Sequence, residues 1–180
     1  MQALIYLVQA VLQYLLVAAF LLRFVLPLAR ANMRNPLAQA VIRVTNPLVM
    51  PLRRVLRPIG RIDTASVVAL LLVQLATTAL ILLLSGIDPT RLLLLAHRAT
   101  YDLLETTLQL YRMAMFIYVL LSWVAPATYS PATDVLGALC EPPLRLVRRV
   151  IPPIGGLDLS AVFVIIALSA LLILLRSLFF

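Results

Sequence analysis

The chain has 180 residues, of which 63% are hydrophobic and 12% are charged, and its mean hydropathy is +1.07. Soluble domains carry roughly 25% charged and about 45–50% apolar residues, so an ordinary water-soluble domain is excluded. The net charge of +8 comes from fifteen arginines, with no lysine, against seven acidic residues. In so apolar a chain this bias favours anionic lipid headgroups over nucleic acid. Because Cys140 and His97 are the single residues of their types, we expect no catalytic residue, cofactor or metal site, and no enzyme.

Four segments are long and apolar enough to cross a bilayer, which takes about 20 mainly apolar residues. They are residues 3–25, 64–85, 103–124 and 159–178. The third is the least apolar, because it carries Glu105, Gln109 and Arg112. The sequence therefore predicts an all-α integral membrane protein with four transmembrane helices.

The two halves of the chain resemble each other at an offset of 95 residues. The motif R-R-V-L-R-P-I-G-R-I-D at residues 53–63 recurs as R-R-V-I-P-P-I-G-G-L-D at residues 148–158, and the same offset places Pro36 on Pro131. Because each copy contains two spans, both copies start on the same side of the membrane, which predicts two parallel repeats. Repeat 1 is residues 1–85 (span 3–25, connector 29–63, span 64–85), and repeat 2 is residues 103–180 (span 103–124, connector 126–158, span 159–178). An outer connector, 86–102, joins them.

Arginine counts predict the orientation of the chain. Connectors 29–63 and 126–158 together carry ten arginines, whereas the outer connector carries only Arg91 and Arg98. We therefore expect both basic connectors in the cytoplasm and both termini outside.

The basic connectors are themselves amphipathic. In the first, an apolar stripe of helical spacing runs from Leu37 through Val44 to Val55, and we expect each connector to form two short interfacial helices joined at a proline, Pro47 or Pro142. The chain is then expected to turn and begin the next span at a repeated set of turn and cap residues, namely Pro58, Gly60, Asp63, Pro153, Gly155 and Asp158.

The arginines of the repeated motif have two open interpretations. They enforce topology and extend to lipid phosphates, or they form a dedicated docking site for anionic lipid and a protein partner. The residues concerned are Arg53, Arg54, Arg57, Arg148 and Arg149. Each arginine near an anionic leaflet contributes about 1 kcal/mol, so both interpretations place these connectors on the membrane.

The duplicated motif, with Asn35-Pro36 or Ser130-Pro131 upstream and Leu121-Ser122-Trp123 on the third span, closely resembles the YggT family. The resemblance covers nearly the whole chain. It implies a small bacterial inner-membrane protein, with plastid relatives, involved in cell division, osmotic tolerance or membrane-complex biogenesis. One departure is that Arg23 of the first span corresponds to Tyr118 in the second copy.

Polar residues within the spans are the remaining candidates for a mechanism. Glu105, Gln109 and Arg112 share one face of the third span and form either a polar packing cluster or the wall of an ion or proton path. On the second span, Gln74 and Thr78 share a face that is expected to bond to a neighbouring helix. Arg23, near a span end, is expected to extend to the interface.

Two functions remain open. The first is a non-catalytic scaffold that docks anionic lipid and a membrane or division protein. The second is a small transport component, for which a homo-oligomer is expected.

Overall fold

The computed structural model describes residues 2–60, 62–124, 130–149 and 160–179. These residues form six helices: α1 (Gln2–Leu28), α2 (Pro36–Val55), α3 (Thr64–Leu84), α4 (Leu92–Val124), α5 (Pro131–Arg148) and α6 (Ser160–Phe179). Within the described part of the chain no strand is found, only an isolated bridge between Ile59 and Ile62. The prediction of an all-helical protein is confirmed.

Three of the described helices are long and apolar enough to cross a membrane, and they are α1, α3 and α6. The first predicted span lies within α1, and α3 covers the second as far as Leu84. Helix α6 covers residues 160–178 of the fourth, because Leu159 lies outside the described residues. The third predicted span lies in α4, whose 33 residues make it about 50 Å long.

Helix ends follow from local hydrogen bonding. After α1, Arg30 takes a positive φ of 57°, and the Ala31 N–H donates to Leu26 O at 3.0 Å. After α3, Gly86 takes a φ of 74°, and the Ile87 N–H donates to Leu82 O at 2.9 Å. Both are Schellman ends. In this motif a residue with positive φ reverses the chain, so that backbone N–H groups beyond the helix donate to the last carbonyl oxygens of the helix.

The prediction that each connector divides at a proline is wrong. Helix α2 continues through Pro47 and Pro51, and α5 continues through Pro142 and Pro143. A proline removes one backbone hydrogen bond and crowds the preceding turn, so tertiary packing must outweigh this cost. In α2 the two prolines are exposed, whereas Thr45 and Val49 are fully buried. Packing on the opposite side therefore holds the helix on both sides of Pro47.

Two compact units make up the chain. One comprises residues 1–24 and 41–107, and the other comprises residues 25–40 and 108–180.

Candidate membrane-interface site

Helix α2 presents three different faces. Its protein-facing side is lined by Ala38, Thr45 and Val49, which are fully buried. Next to it lies an exposed apolar stripe that includes Val44 (63% exposed) and Val55 (81% exposed).

The third face of α2 is basic. Arg43 and Arg54 are exposed and lie about a third of a turn beyond the apolar stripe, since successive helical residues are separated by about 100°. An apolar stripe flanked by arginine is the arrangement of a helix lying in a membrane interface. The stripe predicted from the sequence is thus apolar but largely uncovered by protein.

Arg53 differs from Arg54 because its guanidinium is engaged within the protein. Its Nη2 lies 2.5 Å from Asp63 Oδ2, and its Nε lies 3.2 Å from the same oxygen. The Ser66 hydroxyl also donates to Asp63 Oδ2, at 2.6 Å. Burial alone would raise the pKa of Asp63, but hydrogen bonds from Arg53 and Ser66 and the charges of Arg53 and Arg23 outweigh it, so the pKa of Asp63 lies below its ordinary value.

Asp63 occupies the N-cap position of α3, as predicted, although its side chain caps no backbone N–H. The turn before it also matches the sequence expectation. Helix α2 ends at Val55, Pro58 follows it, and Gly60 adopts a positive φ of 60°. A left-handed φ of this kind favours glycine.

Arg23 does not extend to the interface as expected from the sequence, because it is only 5% exposed. Its Nη1 donates to Ile42 O at 3.0 Å, Thr45 Oγ1 at 2.9 Å and Asn46 Oδ1 at 2.8 Å. Its Nε donates to Ser66 Oγ at 3.3 Å. Arg23 therefore ties α1 to α2 and α3. The sequence analysis missed this role. The two consecutive polar residues Thr45 and Asn46 within α2 could have indicated it, because both side chains accept hydrogen bonds from Arg23.

The second connector is built differently. Ser130 caps α5 through a capping box with Thr133, and Pro131 follows as the first helical residue. Asn35 Nδ2 donates to Pro131 O at 2.8 Å and to Asp134 Oδ2 at 3.0 Å. The two Asn/Ser-Pro sites that the repeat places at equivalent positions are therefore in direct contact.

The arginines of the second motif, Arg148 and Arg149, are placed differently from Arg53 and Arg54 of the first. Arg148 Nη1 lies 3.3 Å from Glu141 Oε2, and Arg145 Nε lies 3.6 Å from Glu141 Oε1. Arg149 is exposed. The predicted Pro153, Gly155 and Asp158 lie outside the described residues.

In the second copy the positions equivalent to the Arg23 contacts are Gly137, Cys140, Glu141 and Ala161, of which Glu141 is charged. Tyr118 replaces Arg23 and its ring lies 3.9 Å from the point where a Cβ on Gly137 would stand. Cys140 replaces Thr45 and is fully buried. Burial raises the pKa of the Cys140 thiol to about 12, so this thiol is unreactive at neutral pH.

The predicted polar face of the third span is half-buried at Glu105, Gln109 and Arg112. The buried polar residues of α4 lie on the adjacent face, at Asp102 and Thr106. Sequence reasoning missed both, although their spacing of four residues on an apolar helix was a usable signal.

Asp102 and Thr106 belong to a polar cluster that joins α1, α3 and α4. Gln13 Nε2 donates to Gln74 Oε1 at 3.0 Å and lies 3.1 Å from Asp102 O and 2.7 Å from Thr106 Oγ1. Gln74 Nε2 donates to Thr78 Oγ1 at 3.0 Å. The expectation that Gln74 bonds to a neighbouring helix is confirmed.

No metal centre is indicated by the ranges 2–60, 62–124, 130–149 and 160–179, in which no three His, Cys, Asp or Glu residues are placed to hold a metal ion.

Comparison with known proteins assigns the family. The CCB3/YggT family model matches residues 1–84 and 97–179. The chain is 41% identical to an uncharacterised protein of Pseudomonas aeruginosa over 159 residues, which cover 87% of this chain and 79% of that protein. It is 32% identical to the uncharacterised protein YggT of Escherichia coli K12 over 177 residues, which cover 93% of this chain and 86% of that protein.

A plastid protein also matches in part. The YlmG homolog protein 2, chloroplastic, of Arabidopsis thaliana is 35% identical over 63 residues, which cover 35% of this chain and 25% of that protein. No solved structure matches the chain. These relatives carry no enzymatic name. The extent of the family match, over nearly the whole chain, shows that this protein belongs to the CCB3/YggT family.

Proposed function

We propose that the protein is a non-catalytic scaffold or assembly factor of the bacterial inner membrane. It spans the membrane four times in two parallel repeats, with residues 29–63 and 126–158 in the cytoplasm and both termini outside. It serves an envelope process such as cell division or osmotic tolerance, the roles that the family resemblance implies.

The observation that carries this proposal is the three-faced geometry of α2. The helix is fixed to the protein by one face, and it leaves an apolar stripe and a basic face uncovered. Burying the stripe among lipid acyl chains would place the basic face at the level of the phosphates. We therefore assign docking of anionic lipid and of a protein partner to four of the exposed arginines, Arg43, Arg54, Arg57 and Arg149.

Arg53 has a different part in this proposal. Because its guanidinium is bonded to Asp63, it positions the end of α2 against the start of α3. The matching Arg148 is bonded to Glu141. The repeated pair Arg-Arg then combines one positioning residue with one residue that faces outward.

A second candidate function is a small oligomeric transport component. The buried polar cluster joining α1, α3 and α4 favours it, because polar groups inside a membrane protein often line solute paths. The half-buried Glu105 lies one residue from this cluster.

Capture from native membranes distinguishes the two functions. The wild type, an Arg43→Gln/Arg54→Gln variant and a charge-matched Arg91→Gln/Arg176→Gln control are purified at natural abundance, and bound proteins and anionic lipids are measured. The scaffold proposal predicts a loss of both only in the Arg43/Arg54 variant. Solute flux in proteoliposomes that is abolished by Glu105→Gln, with unchanged partner recovery in the Arg43/Arg54 variant, would instead favour transport.

A further inference from the structure

Two prolines on the outer side of α2 remove backbone donors from the helix. Pro47 and Pro51 lie inside α2 and are exposed. Because proline has no N–H, the carbonyl oxygens of Arg43 and Pro47, four residues earlier, do not receive the hydrogen bond that an α-helix normally supplies. These two oxygens lie about 6 Å apart along the helix axis. Helix α2 therefore offers a pair of backbone acceptors on an exposed face.

The position of the two prolines around α2 sets the depth of these acceptors. Successive helical residues are separated by about 100°, which places both prolines between the basic face of Arg43 and Arg54 and the apolar stripe. If the stripe is buried among acyl chains and the basic face lies at the phosphates, the prolines lie at the level of the lipid headgroups. A hydrogen bond is stronger in this less polar layer than in bulk water, so the carbonyl oxygens gain from a dedicated donor.

This face of α2 carries groups for both charges of a zwitterionic headgroup. The guanidiniums of Arg43 and Arg54 suit a phosphate, and the carbonyl oxygens suit an ammonium, which has N–H donors and no acceptor. We propose that α2 binds a phospholipid with a primary ammonium next to its phosphate, as in phosphatidylethanolamine. An arginine holds the phosphate, and the ammonium donates to the carbonyl oxygens of Arg43 and Pro47. This inference rests on the proposed position of α2 in the membrane interface and adds the headgroup that it selects.

The second copy does not repeat this pair of acceptors. In α5 the interior prolines are consecutive, Pro142 and Pro143, so the carbonyls that lose their donors belong to Ala138 and Leu139. These positions are separated by about 100° around the helix and do not share a face. The proposed headgroup site therefore belongs to α2 and not to α5.

The lipids next to α2 provide the test. The full chain, with a fluorophore attached at Val44→Cys in a Cys140→Ser background, is reconstituted in phosphatidylcholine vesicles that contain a small, fixed fraction of a lipid spin-labelled on its acyl chain. Quenching of the fluorophore measures how much of that lipid lies beside α2. Phosphatidylcholine has the same phosphate and net charge as phosphatidylethanolamine but no N–H. We expect phosphatidylethanolamine to be enriched about threefold or more over phosphatidylcholine, the effect of one net hydrogen bond.

Proline substitutions provide matched variants for this assay. Pro47→Ala/Pro51→Ala returns both N–H groups to the helix, and it should fold because interior prolines disfavour a helix. Pro36→Ala is the control, because Pro36 is the first residue of α2, where a missing N–H costs no helical hydrogen bond. The preference for phosphatidylethanolamine should be lost in the double variant and kept in the control. Equal quenching by the two lipids in the wild type, or the same preference in the double variant and the control, would overturn the proposal.

A third spin-labelled lipid separates this proposal from the scaffold function. Phosphatidylmethanol is anionic and has no hydrogen-bond donor in its headgroup, so its enrichment over phosphatidylcholine measures docking to the arginines alone. Absence of that enrichment would count against the arginine docking of the proposed function. The comparison of phosphatidylethanolamine with phosphatidylcholine decides separately whether the carbonyl oxygens bind an ammonium.

Discussion

The guanidinium of Arg53 and the carboxylate of Asp63 are joined across the turn between α2 and α3, with Nη2 and Oδ2 2.5 Å apart. Both residues belong to the repeated motif. The same carboxylate accepts from Ser66, and the Ser66 hydroxyl accepts from the buried Arg23. A continuous set of polar contacts therefore connects the end of α2 to α1.

Arg53 and Arg54 should have separable effects. Arg53→Gln removes the pair with Asp63 and should lower the free energy of unfolding by no more than about 1 kcal/mol, because Arg53 is half exposed. Arg54→Gln should leave stability within about 0.5 kcal/mol and weaken anionic-lipid binding by about 1 kcal/mol, with a smaller loss at high salt. Chemical denaturation and lipid titration of both variants check this. Equal lipid binding by the two variants would contradict the division of roles.

Arg23 should be more important for stability than either motif arginine. Arg23→Leu leaves the acceptors on Ile42, Thr45, Asn46 and Ser66 without this donor and should cost about 2–4 kcal/mol. The matched control is Tyr118→Phe at the equivalent position of the second copy, where we expect a change of less than about 1 kcal/mol. Equal unfolding midpoints of the two variants would show that Arg23 does not stabilise the packing of α1 against α2 and α3.

Acid should weaken the contact at Asp63. Because the pKa of Asp63 is lowered in the folded protein, its contribution is present above the unfolded value of about 3.9 and is lost as the pH falls through the folded value. Asp63→Asn should therefore be less stable than the wild type at neutral pH, and the difference should shrink below about pH 4. The measurement is the difference in unfolding midpoint between the two proteins from pH 7 to pH 3. A difference that does not change with pH would be inconsistent with a charged Asp63.

Topology is tested by labelling single cysteines in a Cys140→Ser background. Ala132→Cys reports on the second basic connector without removing the Ser130 cap, and Leu93→Cys, at a position that is 87% exposed, reports on the outer side. An impermeant thiol reagent added outside should label position 93 and not position 132. The reverse pattern would show that the predicted orientation is wrong.

Apolar length was enough to predict α1, α3 and α6, because crossing a bilayer requires a minimum apolar run. It did not predict the continuity of α2 and α5 through their prolines. That continuity depends on the burial of Thr45 and Val49 on the opposite side, which is a tertiary property. The helix breaks that were predicted at Pro47 and Pro142 are therefore absent from the structure.

The roles of individual polar residues were predicted less well than the helices. Arg23, Gln13 and Asp102 acquire their roles from partners 19 to 93 residues away in the chain, and a single sequence does not indicate which helix faces meet. Asp63 was placed correctly because an N-cap is a local property. Its pairing with Arg53, ten residues away, depends on the turn between them.

The depth of α2 in the membrane tests the central claim most directly. Spin labels are attached at Val44→Cys and at Arg43→Cys, each in a Cys140→Ser background, and the protein is placed in bilayers containing anionic lipid. Collision rates with oxygen and with a water-soluble paramagnetic complex then give the depth of each label. The account predicts that the label at position 44 is reached mainly by oxygen and the label at position 43 mainly by the water-soluble complex. Equal access of the water-soluble complex to both positions would contradict an α2 helix embedded in the membrane interface.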